Sequence, residues 1–207
     1  METYLTIAVV AYVIGSINFA VIISKKLAGF DVREKGSKNA GTTNILRTVG
    51  KKAALFTLIC DILKGVAAIL VAMSTEIIWK DFGNIELLKY IAGFMVVLGH
   101  TYPIFFEFKG GKGVATSIGV LLMLDWKIGL ICLAFGLFVI ACTKMVSLGS
   151  MCGALLFPIL STFMKKELSL PQIIICFAIG ILVIFNHRTN IKRIINGKEN
   201  KLSFKKQ

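Results

Sequence analysis

The chain has 207 residues, of which 56% are hydrophobic and 17% are charged, and its mean hydropathy is +0.80. This composition is too apolar for a soluble domain of that length and indicates an integral membrane protein. The formal net charge of +13 would suggest nucleic-acid binding in a soluble chain. In a membrane protein the positive-inside rule accounts for the same charge, so no nucleic-acid partner is predicted.

Seven apolar runs divide the chain, and each is predicted to be a transmembrane helix. They lie at 4–24, 53–73, 87–107, 113–125, 128–143, 148–164 and 171–186. The first run is interpreted as a span rather than a signal peptide, because no basic residue precedes it and no small-residue cleavage site precedes Lys25. The fourth run is short, since its 13 residues reach about 20 Å of a roughly 30 Å hydrocarbon core.

The basic residues predict the orientation of these spans. With all seven runs crossing and the N-terminus outside, 18 lysines and arginines lie in inner stretches, and 5 lie in outer ones: Lys80, Lys89, Lys127, Lys165 and Lys166. Treating 113–143 as one span would put the basic tail and the basic first loop on opposite sides, which the positive-inside rule disfavours. We therefore predict an all-α polytopic membrane protein with seven transmembrane helices, the N-terminus outside, the C-terminus cytoplasmic, and a single domain over residues 1–207.

The first inner loop, residues 29–44, carries short hydrogen-bonding side chains without bulk: Ser37, Asn39, Thr42, Thr43 and Asn44. Ser, Thr and Asn ahead of Ile45-Leu46-Arg47 also suit a helix start, where free N–H groups and the helix dipole favour an anion. The alternative interpretation is a flexible polar loop that ends in a helix cap.

A second inner stretch, Phe108-Lys-Gly-Gly-Lys-Gly113, joins the third run to the fourth. Its glycines at 110, 111 and 113 permit several N–H groups to turn toward one ligand, while Lys109 and Lys112 add positive charge. The stretch is not a Walker A loop, because Gly113 stands where that motif has Ser or Thr. The alternative is a tight turn flanked by lysines that only set topology.

Two pairs of polar residues in the first two apolar runs are candidates for a structural role. Asp61 and Lys64 lie three residues apart on one helical face and are predicted to form a buried structural brace under the site. Ser16 and Asn18 are interpreted as groups that pack helices, because small residues let membrane helices approach closely.

Two further inner stretches carry polar residues. Ser147 lies at the mouth of the sixth run, and His187 and Asn190 share a face if the seventh helix continues beyond the run. A histidine at the membrane boundary serves either as an interfacial anchor or as a general base.

The cysteines offer no sign of redox or metal chemistry. All five lie inside apolar runs and are predicted to be buried small hydrophobes: Cys60, Cys132, Cys142, Cys152 and Cys176. No cluster of metal-ligating residues appears in the sequence, so we expect no metal and no cofactor, and activity in the presence of a chelator.

These motifs together resemble one enzyme family. They are Gly15-Ser16, Gly36-Ser-Lys-Asn-Ala-Gly-Thr-Thr-Asn44, His100-x-x-Pro103 leading into Phe108-Lys-Gly-Gly-Lys-Gly-Val-Ala-Thr116, Ser147, His187-Arg-x-Asn-Ile191 and Gly197-x-Glu199. In this order and spacing they resemble the bacterial acyl-phosphate-dependent glycerol-3-phosphate acyltransferases over nearly the whole chain. The resemblance implies a seven-helix protein of the bacterial cytoplasmic membrane. It also implies transfer of a fatty acyl group from acyl phosphate to the 1-hydroxyl of glycerol 3-phosphate, giving lysophosphatidic acid and phosphate, the first step of phospholipid synthesis.

Three positions depart from the family pattern. The family usually has Gly where Lys38 stands, Ala where Thr42 stands and Pro where Asn18 stands. Lys38 and Thr42 keep the loop polar and cationic, so we interpret them as tolerated variation, although Lys cannot adopt glycine-only angles cheaply.

The resemblance also implies roles for individual residues at one site facing the cytoplasm. Catalytic roles go to Lys112, His187 and Ser37, and substrate or phosphate binding to Asn39, Thr43, Asn44, Arg47, Lys109, Gly110, Gly111, Gly113, Ser147 and Asn190. The implied partners are glycerol 3-phosphate, acyl phosphate and the bilayer, whereas the oligomeric state stays open and a monomer is compatible with the resemblance. Because acyl phosphate is already activated, no covalent acyl-enzyme is required. The proton of the attacking hydroxyl goes either to a phosphate oxygen of the donor or to His187.

Two competing functions stay open at this point. A transporter of small anions or phosphate esters would use the same cationic stretches with Asp61 and Lys64, but no inverted repeat is found and the polar motifs cluster on one predicted face. A scaffold that recruits partners through its basic loops predicts that Lys112→Ala leaves acyl transfer untouched.

Overall fold

The structure is a computed structural model that describes residues 2–78, 83–165 and 167–202. Of the lysines used to predict orientation, Lys80, Lys166, Lys205 and Lys206 lie outside the described residues. Within the described ranges there are two 3-10 turns, Val32–Glu34 and Ile104–Phe106, and ten α-helices. The helices are α1 (Glu2–Gly15), α2 (Phe19–Ala28), α3 (Thr42–Thr48), α4 (Lys51–Ile78), α5 (Ile85–Thr101), α6 (Val114–Leu124), α7 (Trp126–Thr143), α8 (Val146–Met164), α9 (Leu170–Asn186) and α10 (Arg188–Ile195).

Most of these helices are apolar enough to cross a membrane. Five stretches qualify by length and composition: Glu2–Ala28, Lys51–Thr75, Ile85–Phe106, Trp126–Thr143 and Val146–Met164. A sixth qualifies if α9 and α10, which are bent by 56° at their junction, count as one span. Helix α6 has 11 residues and is shorter, at about 16 Å. The prediction of an all-helical chain is confirmed for the described residues, whereas seven crossings and their orientation stay predictions.

The chain divides into two compact units, Met1–Leu124 and Asp125–Gln207. In the first unit α1 packs along α5, and α4 packs against both α5 and α6. A Cβ at Gly15 would meet the carbonyl of Val96, so the backbones of α1 and α5 touch there. Ile69, Val97 and Val120 form part of the buried core between these helices.

The first span is broken at residues 16–18, which the sequence did not predict. The Asn18 side chain accepts a hydrogen bond from Val21 N at 3.2 Å and so caps α2. The Ser16 hydroxyl donates to Tyr12 O at 2.9 Å and accepts from Ile104 N at 3.3 Å. Ser16 is buried where α1 and α5 approach closely, since a Cβ at Gly99 would lie 3.0 Å from Ser16 N, and this agrees with the predicted packing role. Asn18 has a further role that was not predicted, because it caps α2.

The second unit is an antiparallel succession of helices. Helix α7 packs on α8 and α8 packs on α9, and α10 follows α9 after a bend at His187. Asp125 caps α7 by accepting hydrogen bonds from Lys127 N at 3.0 Å and Ile128 N at 3.1 Å. This cap explains why 113–125 and 128–143 form separate helices, as predicted.

The cysteines behave mostly as predicted. Cys132 and Cys176 are buried, and Cys60 and Cys152 are partly buried. Cys142 is exposed on α7, so the prediction that all five are buried is wrong at that position. All five thiols are free.

Candidate functional site

The first inner loop is organised around one buried amide, Asn44, which is 1% exposed. Its Oδ1 accepts a hydrogen bond from Ser37 N at 2.9 Å. Its Nδ2 donates to three carbonyls, those of Val32 at 2.9 Å, Lys35 at 3.0 Å and Asn39 at 3.1 Å. Because both ends of the amide are used inside the loop, Asn44 shapes the loop, whereas Ser37 is exposed above it.

A small apolar cluster holds this loop to the helices on either side. Val32, Ala40 and Ile45 are fully buried and pack with residues of α2 and α4. The predicted helix start is confirmed, since α3 begins at Thr42, but Gly41 stands at the N-cap and no side chain caps the helix. Thr43 is half-buried and Arg47 is exposed.

The turn before α3 contains the departure from the family pattern. Lys38 has φ of 57°, in the left-handed region where a Cβ is unfavourable. The backbone therefore keeps the conformation that suits glycine although lysine occupies the position.

The glycine loop, residues 108–113, folds back on the end of α5. Gly110 N donates to Thr101 O and Gly111 N donates to His100 O, each at 3.1 Å. These two N–H groups therefore bind carbonyls, which differs from the expectation that they turn toward a ligand. Gly113 alone among the loop's glycines has a positive φ, of 85°.

Gly111 is the point where the two loops meet. A Cβ at this position would collide with His100 Nε2 and would lie 2.8 Å from Ala40 O of the first inner loop. The absence of a side chain thus permits the first inner loop and the glycine loop to touch. We call the first inner loop, residues 29–44, and the segment after α5 that contains the glycine loop, residues 102–113, together the two-loop site.

The Arg33 side chain also connects the two loops through hydrogen bonds, and sequence analysis did not predict this contact. Arg33 Nη1 donates to Phe106 O at 2.8 Å, while Nε and Nη2 bind the carboxylate of Asp31 at 3.0 and 2.8 Å. Lys25 Nζ lies 3.3 Å from the same carboxylate. The Arg33 hydrogen bond outweighs the effect of burial and lowers the pKa of Asp31 to about 2.

The lysines of the glycine loop differ in their surroundings. Lys109 forms an exposed ion pair with Glu107 at 2.9 Å, in which both side chains are about 70% exposed. Such a pair is weak and leaves the ammonium able to exchange partners. Lys112 is half-buried in the loop.

The predicted brace is present beneath this site. Lys64 Nζ lies 3.0 Å from Asp61 Oδ1, and His100 Nδ1 lies 3.5 Å from the same oxygen. All three side chains are less than 5% exposed.

The second unit has its own polar cluster around the carboxylate of Glu199. Ser147 Oγ and Asn190 Nδ2 donate to Oε1 at 2.9 and 2.7 Å, and Arg193 Nε donates to Oε2 at 2.9 Å. Burial raises the pKa of Glu199, but these hydrogen bonds outweigh it, so the pKa lies below its usual value. We call these four residues the Glu199 cluster.

His187 lies at the bend between α9 and α10 and is 2% exposed. Its Nδ1 lies 2.8 Å from Val183 O, and because a carbonyl oxygen can only accept, Nδ1 carries a proton and donates it to that carbonyl. Asn190 is also buried, as expected for residues that share one face of the turn.

Sequence reasoning gave roles to Ser147 and Asn190 but none to Glu199, which it named only as part of the motif Gly197-x-Glu199, and it did not name Arg193 as a site residue. One signal was available, because Glu199 is the only acidic residue in the basic stretch that follows α9. A lone carboxylate among so many cations indicates a partner for them rather than a solvated side chain.

Comparison with known proteins gives a consistent result along the whole chain. The family model described as glycerol-3-phosphate acyltransferase matches residues 5–197. The glycerol-3-phosphate acyltransferase of Clostridioides difficile (strain 630) is 45% identical over 206 residues, covering 99% of this chain and 98% of that protein. The protein of the same name from Thermoanaerobacter sp. (strain X514) is 43% identical over 198 residues, covering 96% and 95%.

Solved structures agree with these sequence relatives. The crystal structure of PlsY (YgiH), an integral membrane glycerol 3-phosphate acyltransferase, in its glycerol 3-phosphate form is similar with a TM-score of 0.87 and 34% identity. The similarity covers 97% of this chain and 96% of that one. The lysophosphatidic acid form of the same protein has a TM-score of 0.83.

Proposed function

The chain belongs to the glycerol-3-phosphate acyltransferase family, and on that premise we propose that it transfers a fatty acyl group from acyl phosphate to the 1-hydroxyl of sn-glycerol 3-phosphate. The products are lysophosphatidic acid and phosphate, so the protein catalyses the first step of phospholipid synthesis. The observation that carries this proposal is the two-loop site, where a loop of short polar side chains touches a loop with two lysines at Gly111.

The chemistry of the reaction fits such a site. Both substrates carry a phosphate, so the enzyme must hold two anions near each other against their repulsion. Ser37, Asn39, Thr43 and Arg47 bind one phosphate or the glycerol part, in a loop shaped by Asn44. Lys109 and Lys112 bind the other phosphate, with Gly110, Gly111 and Gly113 giving the loop its path.

The reaction needs no covalent enzyme intermediate. The 1-hydroxyl oxygen attacks the acyl carbonyl carbon, and the bond from that carbon to the phosphate oxygen breaks, releasing phosphate. Lys112 neutralises the charge that develops on the acyl phosphate, and Ser37 orients the attacking substrate. The hydroxyl proton goes to a phosphate oxygen of the donor or to His187, while Ser147 and Asn190 bind substrate.

Replacing His187 with Ala separates these two routes for the proton. Retained kcat with a raised KM assigns His187 to binding, whereas near-total loss of kcat assigns it to proton transfer. Glutamine at the same position provides the matched control, because it keeps a polar side chain without a titratable ring.

The membrane arrangement is part of the same proposal. We propose seven crossings, with α6 as the short one, the N-terminus outside, and a site that faces the cytoplasm from the bacterial inner membrane. The distribution of basic residues supports this orientation. We further propose that both units form one acyltransferase domain, since the family match runs through both.

Labelling of single cysteines tests the orientation. In a background without the native cysteines, thiols placed at positions 38 and 112 should both react with an impermeant reagent from the cytoplasmic side only. If the two positions reacted from opposite sides of the membrane, the two loops could not form one binding site, and the two-loop site would be rejected.

The decisive experiment for the activity uses purified protein in detergent or lipid. Acyl phosphate and glycerol 3-phosphate should give equal amounts of phosphate and lysophosphatidic acid, with chelator present. Acyl coenzyme A or acyl carrier protein in place of acyl phosphate should give no product. Lys112→Ala should reduce turnover and raise the KM of the substrate whose phosphate Lys112 binds. Flux of labelled glycerol 3-phosphate into liposomes without product formation would instead favour a transporter.

A further inference from the structure

Three buried ionisable side chains of the first unit have no role in the proposed reaction. Asp61, Lys64 and His100 are 1%, 4% and 3% exposed, and they lie within the helices rather than in the two loops' exposed segments. The Asp61 carboxylate lies between the other two, 3.0 Å from Lys64 Nζ and 3.5 Å from His100 Nδ1, and the contact with His100 is a close approach rather than a hydrogen bond. We call these residues the buried triad.

One end of the buried triad binds the break in the first span. Lys64 Nζ donates to Gly15 O at 3.1 Å and to Ile17 O at 2.8 Å. These carbonyls lack helical partners because the chain unwinds at residues 16–18, and unwound carbonyls inside a membrane protein need a donor or a cation. The Lys64 ammonium therefore acts as a tethered cation at the broken helix.

The other end of the buried triad supports the glycine loop. The His100 carbonyl accepts from Gly111 N, and its ring Nε2 lies where a side chain at position 111 would be. The next carbonyl, of Thr101, accepts from Gly110 N. A movement of His100 would therefore move the backbone at residues 110 and 111.

Holding helices together does not by itself explain why Asp61 and Lys64 form a buried ion pair. Burying an ion pair costs desolvation that the attraction barely repays, and apolar residues of similar volume hold helices equally well. Glu86 and Lys89 on α5 have the same spacing of three residues, yet the Glu86 side chain is 52% exposed and avoids this cost. A buried ion pair determines which two side chains must face each other, because either charge alone would be costly to bury, whereas apolar packing imposes no such pairing.

We propose that Asp61, Lys64 and His100 are positioning residues, which fix the glycine loop relative to the broken first span so that Lys112 meets its substrate phosphate. Lys64 is bound to the carbonyls at the break, and Asp61 lies between Lys64 and His100. Because the end of α5 at His100 binds the backbone of Gly110 and Gly111, the position of the break determines the position of the glycine loop. This inference rests on the proposed phosphate-binding role of the glycine loop. If the proposal holds, three buried side chains that do not contact the substrate affect how tightly the substrate binds.

The test compares steady-state kinetics of variants against both substrates. Asp61→Asn with Lys64→Met removes both charges together, so that neither is left buried without its partner. Lys112→Ala first identifies the substrate whose KM depends on the glycine loop. In the double variant the KM for that substrate should rise at least tenfold, and kcat should stay within threefold of the wild type. His100→Gln, which removes no carboxylate or ammonium, should raise the same KM and serves as the second variant if the double variant is not recovered.

The matched control is Glu86→Gln with Lys89→Met, which removes an ion pair of the same spacing and should leave both KM values within twofold. A purely structural role predicts a lower active fraction, seen as reduced kcat per mole of protein with unchanged KM. That pattern, or a rise in the KM of the other substrate alone, would overturn the inference while leaving the acyltransferase intact. Unchanged KM values in Lys112→Ala would instead overturn the loop's proposed role, and the inference with it.

Discussion

The two-loop site and the Glu199 cluster are both polar assemblies in an apolar chain, but they differ in the kind of hydrogen bond that holds them together. The two-loop site is built mainly from backbone groups, since Asn44, Arg33 and the carbonyls of α5 all bind main-chain atoms of a loop. The Glu199 cluster is built from side chains that converge on one carboxylate. We therefore expect activity to fall when a substitution adds volume to the two-loop site. In the Glu199 cluster we expect activity and stability to fall when a substitution removes the charge.

The largest effect should come from adding one methyl group to the two-loop site. In Gly111→Ala the new Cβ collides with the His100 ring and crowds Ala40 O, so the two loops must separate. Because a displacement of about 1 Å can cost on the order of 100-fold in rate, we expect kcat/KM to fall by roughly that factor. Steady-state assays of phosphate release measure the change.

Gly50→Ala is the control for this substitution. Gly50 has φ of 125° and open space around its Cα, so alanine there adds backbone strain without a collision. Its kcat/KM should stay within about threefold of the wild type. An equal loss in both variants would show that strain, rather than the contact between loops, controls activity.

The next largest effect should come from removing a charge in the Glu199 cluster. Glu199→Gln keeps the volume but weakens three hydrogen bonds to Ser147, Asn190 and Arg193, at a cost of about 2 kcal/mol. We expect a lower thermal midpoint and a kcat/KM lower by roughly 30-fold, the factor to which about 2 kcal/mol corresponds. Glu167→Gln, at an exposed carboxyl of the same unit, should change neither value.

The Asp31 carboxylate should make the first unit sensitive to acid. Its pKa falls from 3.8 to about 2 in the folded protein, chiefly through the Arg33 hydrogen bond. A depressed folded pKa contributes stability that is fully present above about pH 4 and is lost as the pH falls through about 2, a contribution of about 2 kcal/mol. Asp31→Asn should therefore lower the thermal midpoint at pH 7 and flatten its decline between about pH 5 and pH 2.

Glu34→Gln is the control, because Glu34 is an exposed carboxyl in the same turn. Its thermal midpoint should follow the wild type at every pH. If the thermal midpoint of Asp31→Asn declined with acid as steeply as that of the wild type, the acid sensitivity would belong to another group.

The smallest effect should be a gain in stability at Lys38. Glycine accommodates φ of 57° without the strain that a Cβ brings, although it loses more entropy on folding. Lys38→Gly should thus stabilise the protein by about 0.5–1 kcal/mol, measured as a higher thermal midpoint, at unchanged kcat. A loss of kcat would show that the Lys38 ammonium takes part in catalysis.

Sequence reasoning predicted the helical class, the separation of α6 from α7, the helix start at α3 and the pairing of Asp61 with Lys64. It did not predict the break in the first span, because Ser16 and Asn18 are small enough to continue a packed helix. Their role emerges only when Ile104 N comes within reach of Ser16 Oγ and Lys64 reaches the carbonyls at the break. These are contacts between residues far apart along the chain.

By itself, the sequence determined what is set by composition and local pattern: a helical membrane chain, the position of its polar stretches, and the family whose motifs they carry. Tertiary structure alone decided which backbone groups are already engaged. Gly110 and Gly111 were expected to offer N–H groups to a ligand, but the nearby end of α5 satisfies them first. Glycine spacing determines which conformations a loop can adopt, whereas the partner of each N–H depends on which carbonyl the fold brings within hydrogen-bonding distance.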